Sequence, residues 1–436
     1  MKIEKILFPR WLVPVEPEYQ VLEDYAVVVD AGKIVELLPA NQARAKYTAS
    51  EQHELEQHVL LPGFINAHTH AAMSIFRGMA DDLPLMTWLN DHIWPAEHQW
   101  IDRDFVRDGS RLAIAEMIRS GTTCFADMYF FGDETATAAE AAGLRAVIGL
   151  IVIDFPSAWA KDSREYLEKA KQLHHSLGDS KLVKTAFSPH SPYAVSESAL
   201  IELNKLSSEL DIPIMMHVHE TADEVKQSLE QYKKRPIQRL DDLGLLGPRL
   251  MAVHMTQLSN EEIELLHARE VHVVHCPESN MKLASGFCPV QSLLDSKINI
   301  ALGTDGAASN NDLDMLGEMR SAALIGKAVA QDATALNAFE VIKMATLNGA
   351  KALQLDSVTG SLVIGKQADF VAINLDEIET LPLRDPVSQI VYSATRNQVS
   401  DVWVSGQHLM REGELLTVDE AAIRECAKNW GNKLYS

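Results

Sequence analysis

The chain has 436 residues, of which 47% are hydrophobic and 23% charged, and its formal net charge is −22. That length exceeds one ordinary core and suits a large barrel with a small appended domain. So acidic a chain repels phosphate backbones and anionic membrane surfaces, which argues against nucleic acid or membrane as a partner. The first residues, MKIEKILFPRWLVPVEP, contain two acidic residues and three prolines, so no signal peptide is read there. No apolar run is long enough to span a bilayer. Asp24–Leu38 holds two β-rich runs joined by Ala31-Gly32-Lys33, a hairpin signal.

From about residue 60 to 350 the pattern alternates. Strand-like runs are read at Val59–Ile65, Thr122–Met128, Ala146–Ile153, Val183–Phe187, Ile212–Val218, Leu250–His254, Val271–His275 and Ile298–Gly303. Amphipathic helical stretches lie between them, such as Val106–Ile118, Glu197–Leu210, Glu261–Glu270 and Leu313–Ala328. This alternation predicts an α/β fold, a (β/α)8 TIM-like barrel over residues 61–359. Short strands with Gly turns return at Gly360–Leu375 and Val402–Met410. Residues 1–60 plus 360–436 are therefore expected to form a second small β-sandwich domain built from both termini. The four cysteines form no CxxC pair, which favours a reducing, cytoplasmic setting.

Polar residues recur at the ends of the predicted strands. His68 and His70 follow the first, Asp127 ends the second, and His190 follows the fourth. His217, His254 and His275 end the fifth, sixth and seventh, and Asp305 follows the eighth. In a parallel barrel all these ends open on one face, where active sites sit. His68 and His70 are two apart, so on extended chain both imidazoles point to one side and can meet one ion. Imidazole suits zinc and related divalent metals.

The run Leu61-Pro62-Gly63-Phe64-Ile65-Asn66-Ala67-His68-Thr69-His70 resembles the start of the metal site in the amidohydrolase superfamily. His217-Val218-His219-Glu220, His254 and Gly303-Thr304-Asp305-Gly306 match the same superfamily in order. Within it the chain is most similar to the methylthioadenosine/S-adenosylhomocysteine deaminases. That likeness is carried by Leu83–Leu89, Trp94-Pro95-Ala96-Glu97, Pro189–Tyr193 and Thr304–Asn311. The resemblance implies His68, His70, His217 and Asp305 as ligands of one divalent ion, most simply zinc. Spacing alone leaves His219 as an alternative to His217; the family pattern favours His217 and leaves His219 at the strand end.

The same resemblance makes Glu220 the proton carrier, although a glutamate at a helix N-terminus is the bland reading of that position. It makes His254 a hydrogen-bonding partner of the attacking hydroxide, and Asp305 both ligand and proton acceptor. Glu97 and His190 are expected at a ribose, with the carboxylate accepting both hydroxyls. Trp88 could face the nucleoside or sit in the core, and Ser309 is a candidate polar contact. His275 opens a loop, His275–Asn280, that recurs in the family, and is read as structural. Arg164 lies where the match is poor, and no role is carried to it.

The implied activity is hydrolytic deamination of adenine nucleosides by a metal-bound hydroxide, with 5′-methylthioadenosine and S-adenosylhomocysteine as substrates. A triazine aminohydrolase or chlorohydrolase is the nearest rival, and a non-catalytic scaffold is the rival of another class. A homo-oligomer, dimer or tetramer, is expected from the resemblance.

Overall fold

The structure, a computed structural model, describes residues 1–434. Eight parallel strands form one sheet in sequence order: Phe64–Thr69, Thr122–Tyr129, Arg145–Val152, Val183–Pro189, Ile214–Val218, Leu250–His254, His272–His275 and Ile300–Leu302. Parallel neighbours cannot be joined by tight turns, so helices such as Gly132–Ala142, Ser163–Ser176 and Glu197–Leu210 make the crossovers. Helices on the outer face leave almost every strand residue buried, which is why these strands are continuously apolar rather than alternating.

The sheet closes where the eighth strand meets the first. The Asp305 N–H donates to the His68 carbonyl at 3.0 Å. Gly303 makes that approach possible, since a Cβ there would lie 2.8 Å from the His68 nitrogen and 3.0 Å from its carbonyl oxygen. The TIM-like barrel expected from the alternation is therefore present.

One strand was placed differently by the sequence pattern. Val59–Pro62 ends a long strand, Thr48–Pro62, of another sheet, and the first barrel strand starts only at Phe64. A continuous apolar run hides this boundary, because both sheets bury it. Along it the faces alternate: Leu60 joins one apolar cluster with Leu7, Phe370 and Trp403, whereas Val59 and Leu61 join the cluster under the barrel.

That other sheet is the small β-rich unit, built from both ends of the chain. Among the described residues it contains nine strands and is continuous, running from Glu414–Leu415 through Phe370–Asn374 and Thr48–Pro62 to Lys33–Pro39. It curls so that its distant parts meet. The Ile34 N–H donates to the Lys366 carbonyl at 3.0 Å, and the Ala368 N–H to that of Gly32 at 2.9 Å. Arg145, on the third barrel strand, pairs with Asp369 at 2.9 Å, with both side chains almost fully buried. Such a pair is costly to break from one side, so it ties the two units together.

The last helix is Glu420–Leu434. It packs on the barrel helix Arg103–Arg119, where Trp430 meets Phe105 edge to face and donates its Nε1–H to Asp108 at 3.0 Å. The four cysteines are free. Among the described residues, no helix is long and apolar enough to cross a membrane.

Candidate metal centre and active site

His68 ends the inward run of the first strand, and His70 follows it. His217 lies on the fifth strand and Asp305 just after the eighth. Barrel closure brings one ligand atom from each of the four to within 4.8 Å of the others. His70 Nε2 lies 3.1 Å from Asp305 Oδ1, and His68 Nε2 lies 3.4 Å from the same oxygen. His217 Nε2 is 3.1 Å from His68 Nε2.

Each ring is oriented from behind. His70 Nδ1 donates to the Met128 carbonyl at 2.7 Å and His217 Nδ1 to that of His190 at 2.8 Å, while His68 Nδ1 faces the Met215 sulfur at 3.3 Å. These partners only accept, so the proton sits on Nδ1 and the Nε2 lone pairs converge. Three lone pairs and a carboxylate facing one point repel one another unless a cation lies between them. The donor set therefore fits a divalent ion, and nitrogen with carboxylate oxygen suits zinc or its neighbours.

At His68 and His217 the electrostatics agree. Burial lowers the imidazolium of His68 to about 4 and that of His217 well below the ordinary range, keeping both available as neutral ligands. At His70 burial acts in the same direction, but the Asp305 carboxylate and the Met128 carbonyl outweigh it and raise the ring to about 9. Asp305 is held well below the carboxylate range: burial opposes its charge, and its histidine neighbours more than offset it.

Glu220 lies beyond the fifth strand, facing His254 with Oε2 3.9 Å from Nε2. Its reading as a helix-terminal acid fails on geometry. The following helix is Ala222–Tyr232, capped by Thr221, and its first-turn acids are Asp223 and Glu224. Glu220 precedes the cap, and its backbone N–H donates to Glu224 at 2.8 Å. Burial raises the Glu220 carboxyl, and His254 only partly opposes this. His219 turns away. The strand ends at Val218, His219 adopts φ +53°, and its Nδ1 donates to the Gln257 carbonyl at 3.1 Å. The rule that i and i+2 share a face stops where the strand stops.

A cavity of about 190 Å³ opens over this centre. His70, His217, Glu220, His254 and Asp305 form its floor, and Glu97 and His190 lie in its wall. Tyr129 donates to Glu97 at 2.8 Å. Among apolar walls that bond does not offset desolvation, so the Glu97 carboxyl is pushed up to about 7. The His190 ring lies 4.7 Å from that of His217, and burial lowers it to about 3. Trp88 is nearly buried, shared between the cavity wall and an apolar cluster with Phe76 and Phe105. Ser309 lines the cavity too, but its hydroxyl donates to Asp305 Oδ2 at 2.8 Å rather than pointing at open space.

Two positioning residues, Ser279 and Asn280, were not singled out by the sequence. Ser279 also donates to Asp305 Oδ2, at 2.6 Å, and Asn280 accepts from His254 Nδ1 at 2.9 Å. Both lie on the short helix Pro277–Lys282, within the stretch His275–Asn280 that was the available signal. His275 itself is buried with neither ring nitrogen hydrogen-bonded. Asp127 accepts from the Ala71 N–H at 2.6 Å and from Thr69 at 3.1 Å, bracketing His70. Arg164 is outside the site, with an exposed side chain 3.4 Å from Glu168.

The model of the amidohydrolase family matches residues 59–409. A 5-methylthioadenosine/S-adenosylhomocysteine deaminase of Saccharophagus degradans is 48% identical over 98% of this chain and 96% of its own. A 5′-deoxyadenosine deaminase of Methanothermobacter thermautotrophicus is 46% identical over 85% of this chain and 86% of its own. The solved structure of an adenosine deaminase from Xanthomonas campestris with bound zinc superposes with a TM-score of 0.99 at 48% identity, covering 100% of this chain and 99% of that one. With His68, His70, His217 and Asp305 grouped at the mouth of the barrel where they could hold a metal ion, the chain belongs to the amidohydrolase family and, within it, to the 5-methylthioadenosine/S-adenosylhomocysteine deaminases.

Proposed function

We propose that this protein removes the 6-amino group of adenine nucleosides by hydrolysis, releasing ammonia and the hypoxanthine nucleoside. One observation carries the reading. Glu220 and His254 face the metal site on the cavity floor, while Glu97 and His190 stand in the wall above it. A flat base and a sugar need these two sets of polar groups at once.

An ion held by His68, His70, His217 and Asp305, zinc and one per chain in this reading, would supply an acidified water when bound. Asp305 takes the proton of the attacking water. Glu220, whose raised carboxyl holds a proton readily, delivers one to the ring nitrogen beside the reacting carbon. His254 Nε2, left as an acceptor by the Nδ1–H bond to Asn280, takes a hydrogen bond from the attacking water and orients it. Glu97 accepts the two ribose hydroxyls and fixes the nucleoside. A homo-oligomeric assembly belongs to the same proposal, as does a cytoplasmic setting, which the four free cysteines support.

Ammonia release from 5′-methylthioadenosine, followed with and without a chelator, tests the reading. Turnover is expected from the untreated protein, lost on chelation and restored by zinc. The Glu220→Gln variant is expected to lose at least about 100-fold in kcat while keeping its metal. Full activity in that variant would refute the assigned proton path.

A further inference from the structure

The roles of Glu97 and His190 leave one part of the cavity without an occupant. It lies over the second and third barrel strands, on the side away from the strands that supply His217, His254 and Asp305. Its walls are Phe130, Ile151, Ile153 and Phe155, with Trp94 and Tyr193 beside them. No lysine or arginine lines the cavity among the described residues, and its three carboxylates, Glu97, Glu220 and Asp305, belong to the ribose wall and the metal site.

Basic residues around this wall are engaged elsewhere, Arg239 among them, which donates to the Pro192 carbonyl and lies 3.5 Å from Glu197. Arg103 lies 5.6 Å from the Phe131 ring but pairs with Asp133 at 2.6 Å and Glu134 at 2.5 Å. Lys169 lies 4.7 Å from the Trp159 ring, donates to the Trp159 carbonyl and pairs with Glu165 at 3.2 Å. On the opposite side, Lys282 pairs with Asp81 at 2.6 Å.

We infer that this apolar sector receives the 5′ substituent and selects short, uncharged groups there, a methylthio or a methyl, over one ending in an α-amino acid. The inference rests on the proposed deaminase activity and narrows its substrate class. A thioether or methyl group buried against Ile151, Ile153 and Phe130 gains the transfer free energy of its carbons. An amino-acid tail brings a carboxylate and an ammonium to the same walls. There the carboxylate finds no cation, and the acidic chain around it adds repulsion.

The test compares kcat/KM for 5′-methylthioadenosine, 5′-deoxyadenosine and S-adenosylhomocysteine on the metal-loaded protein. Values for the first two are expected to exceed the third by about tenfold or more. A second arm uses Phe155→Arg. Phe155 is 46% exposed at the rim, so the variant places a cation at the wall without opening the core. It is expected to shift the ratio at least about threefold toward S-adenosylhomocysteine. Equal kcat/KM for all three nucleosides in the unaltered protein overturns the inference while leaving the deaminase reading intact. An unchanged ratio in Phe155→Arg overturns the location of the 5′ sector. A protein inert toward all three overturns the deaminase reading and this inference with it.

Discussion

His254 donates its Nδ1–H to the side-chain oxygen of Asn280 at 2.9 Å, and this bond decides which ring nitrogen looks into the site. Nε2 is left pointing toward Glu220. Asn280→Leu keeps the branched shape of the side chain and removes the acceptor. Since the Asn280 Nδ2 has no partner, the change orphans only the histidine. We expect kcat to fall about 10–100-fold, with KM and bound metal little changed. Steady-state ammonia release alongside metal analysis checks this, and a defect confined to KM would contradict it.

Asp305 Oδ2 accepts from Ser279 and from Ser309, which leaves Oδ1 to face the histidines. Replacing both serines with alanine lets the carboxylate rotate and strips the charge-assisted bonds that hold it. Metal affinity is expected to drop about 10–100-fold, read by competition with a chromogenic chelator. Unchanged affinity in the double variant would show that the serines do not position the ligand.

Glu97 makes a prediction whose sign depends on pH. Its carboxyl is raised from 4.5 to about 7, so the folded state binds this proton more tightly than the unfolded chain does. The stability it contributes is full below the unfolded value and is lost as pH rises through about 7. Glu97→Gln should therefore melt with the unaltered protein at pH 4 and a few degrees above it at pH 8. The same variant should raise KM, because an amide cannot accept both ribose hydroxyls. Melting curves across that range decide the matter; a variant less stable at pH 8 would contradict the raised carboxyl.

Gly303 holds the seam of the barrel. A Cβ at this position would collide with the His68 backbone, which neither strand can easily yield. Gly303→Ala is expected to cost about 1–3 kcal/mol and to weaken metal binding, since His68 and Asp305 sit on the two sides of the seam. The midpoint of urea unfolding and the metal content of the variant measure both effects.

Some features could be read without a structure because they are local. Strand and helix periodicity is written in the chain, and it yielded the barrel, though it could not divide the apolar run at Val59–Ile65 between two sheets that both bury it. The spacing of His68 and His70 carried their shared direction, because both lie on or beside one extended strand. The same argument did not transfer to His219, whose strand ends one residue too early and whose φ is positive. Glu220 was legible as an acid near a helix, but only the position of the Thr221 cap separates it from the helix terminus.

What the sequence by itself determined is the chemistry of the side chains and their order along the strands: the ligand candidates His68, His70, His217 and Asp305, and the acid Glu220. Only the tertiary structure decided which nitrogen of each histidine faces the centre. Those choices depend on the Met128 and His190 carbonyls, on Asn280 and on the sulfur of Met215, each from a different barrel strand or loop. It also decided that the sector beyond Glu97 has apolar walls. Ligand identity is a property of single residues, whereas tautomer, polarity and selectivity come from groups distant in the chain that closure of the barrel brings within a few ångströms.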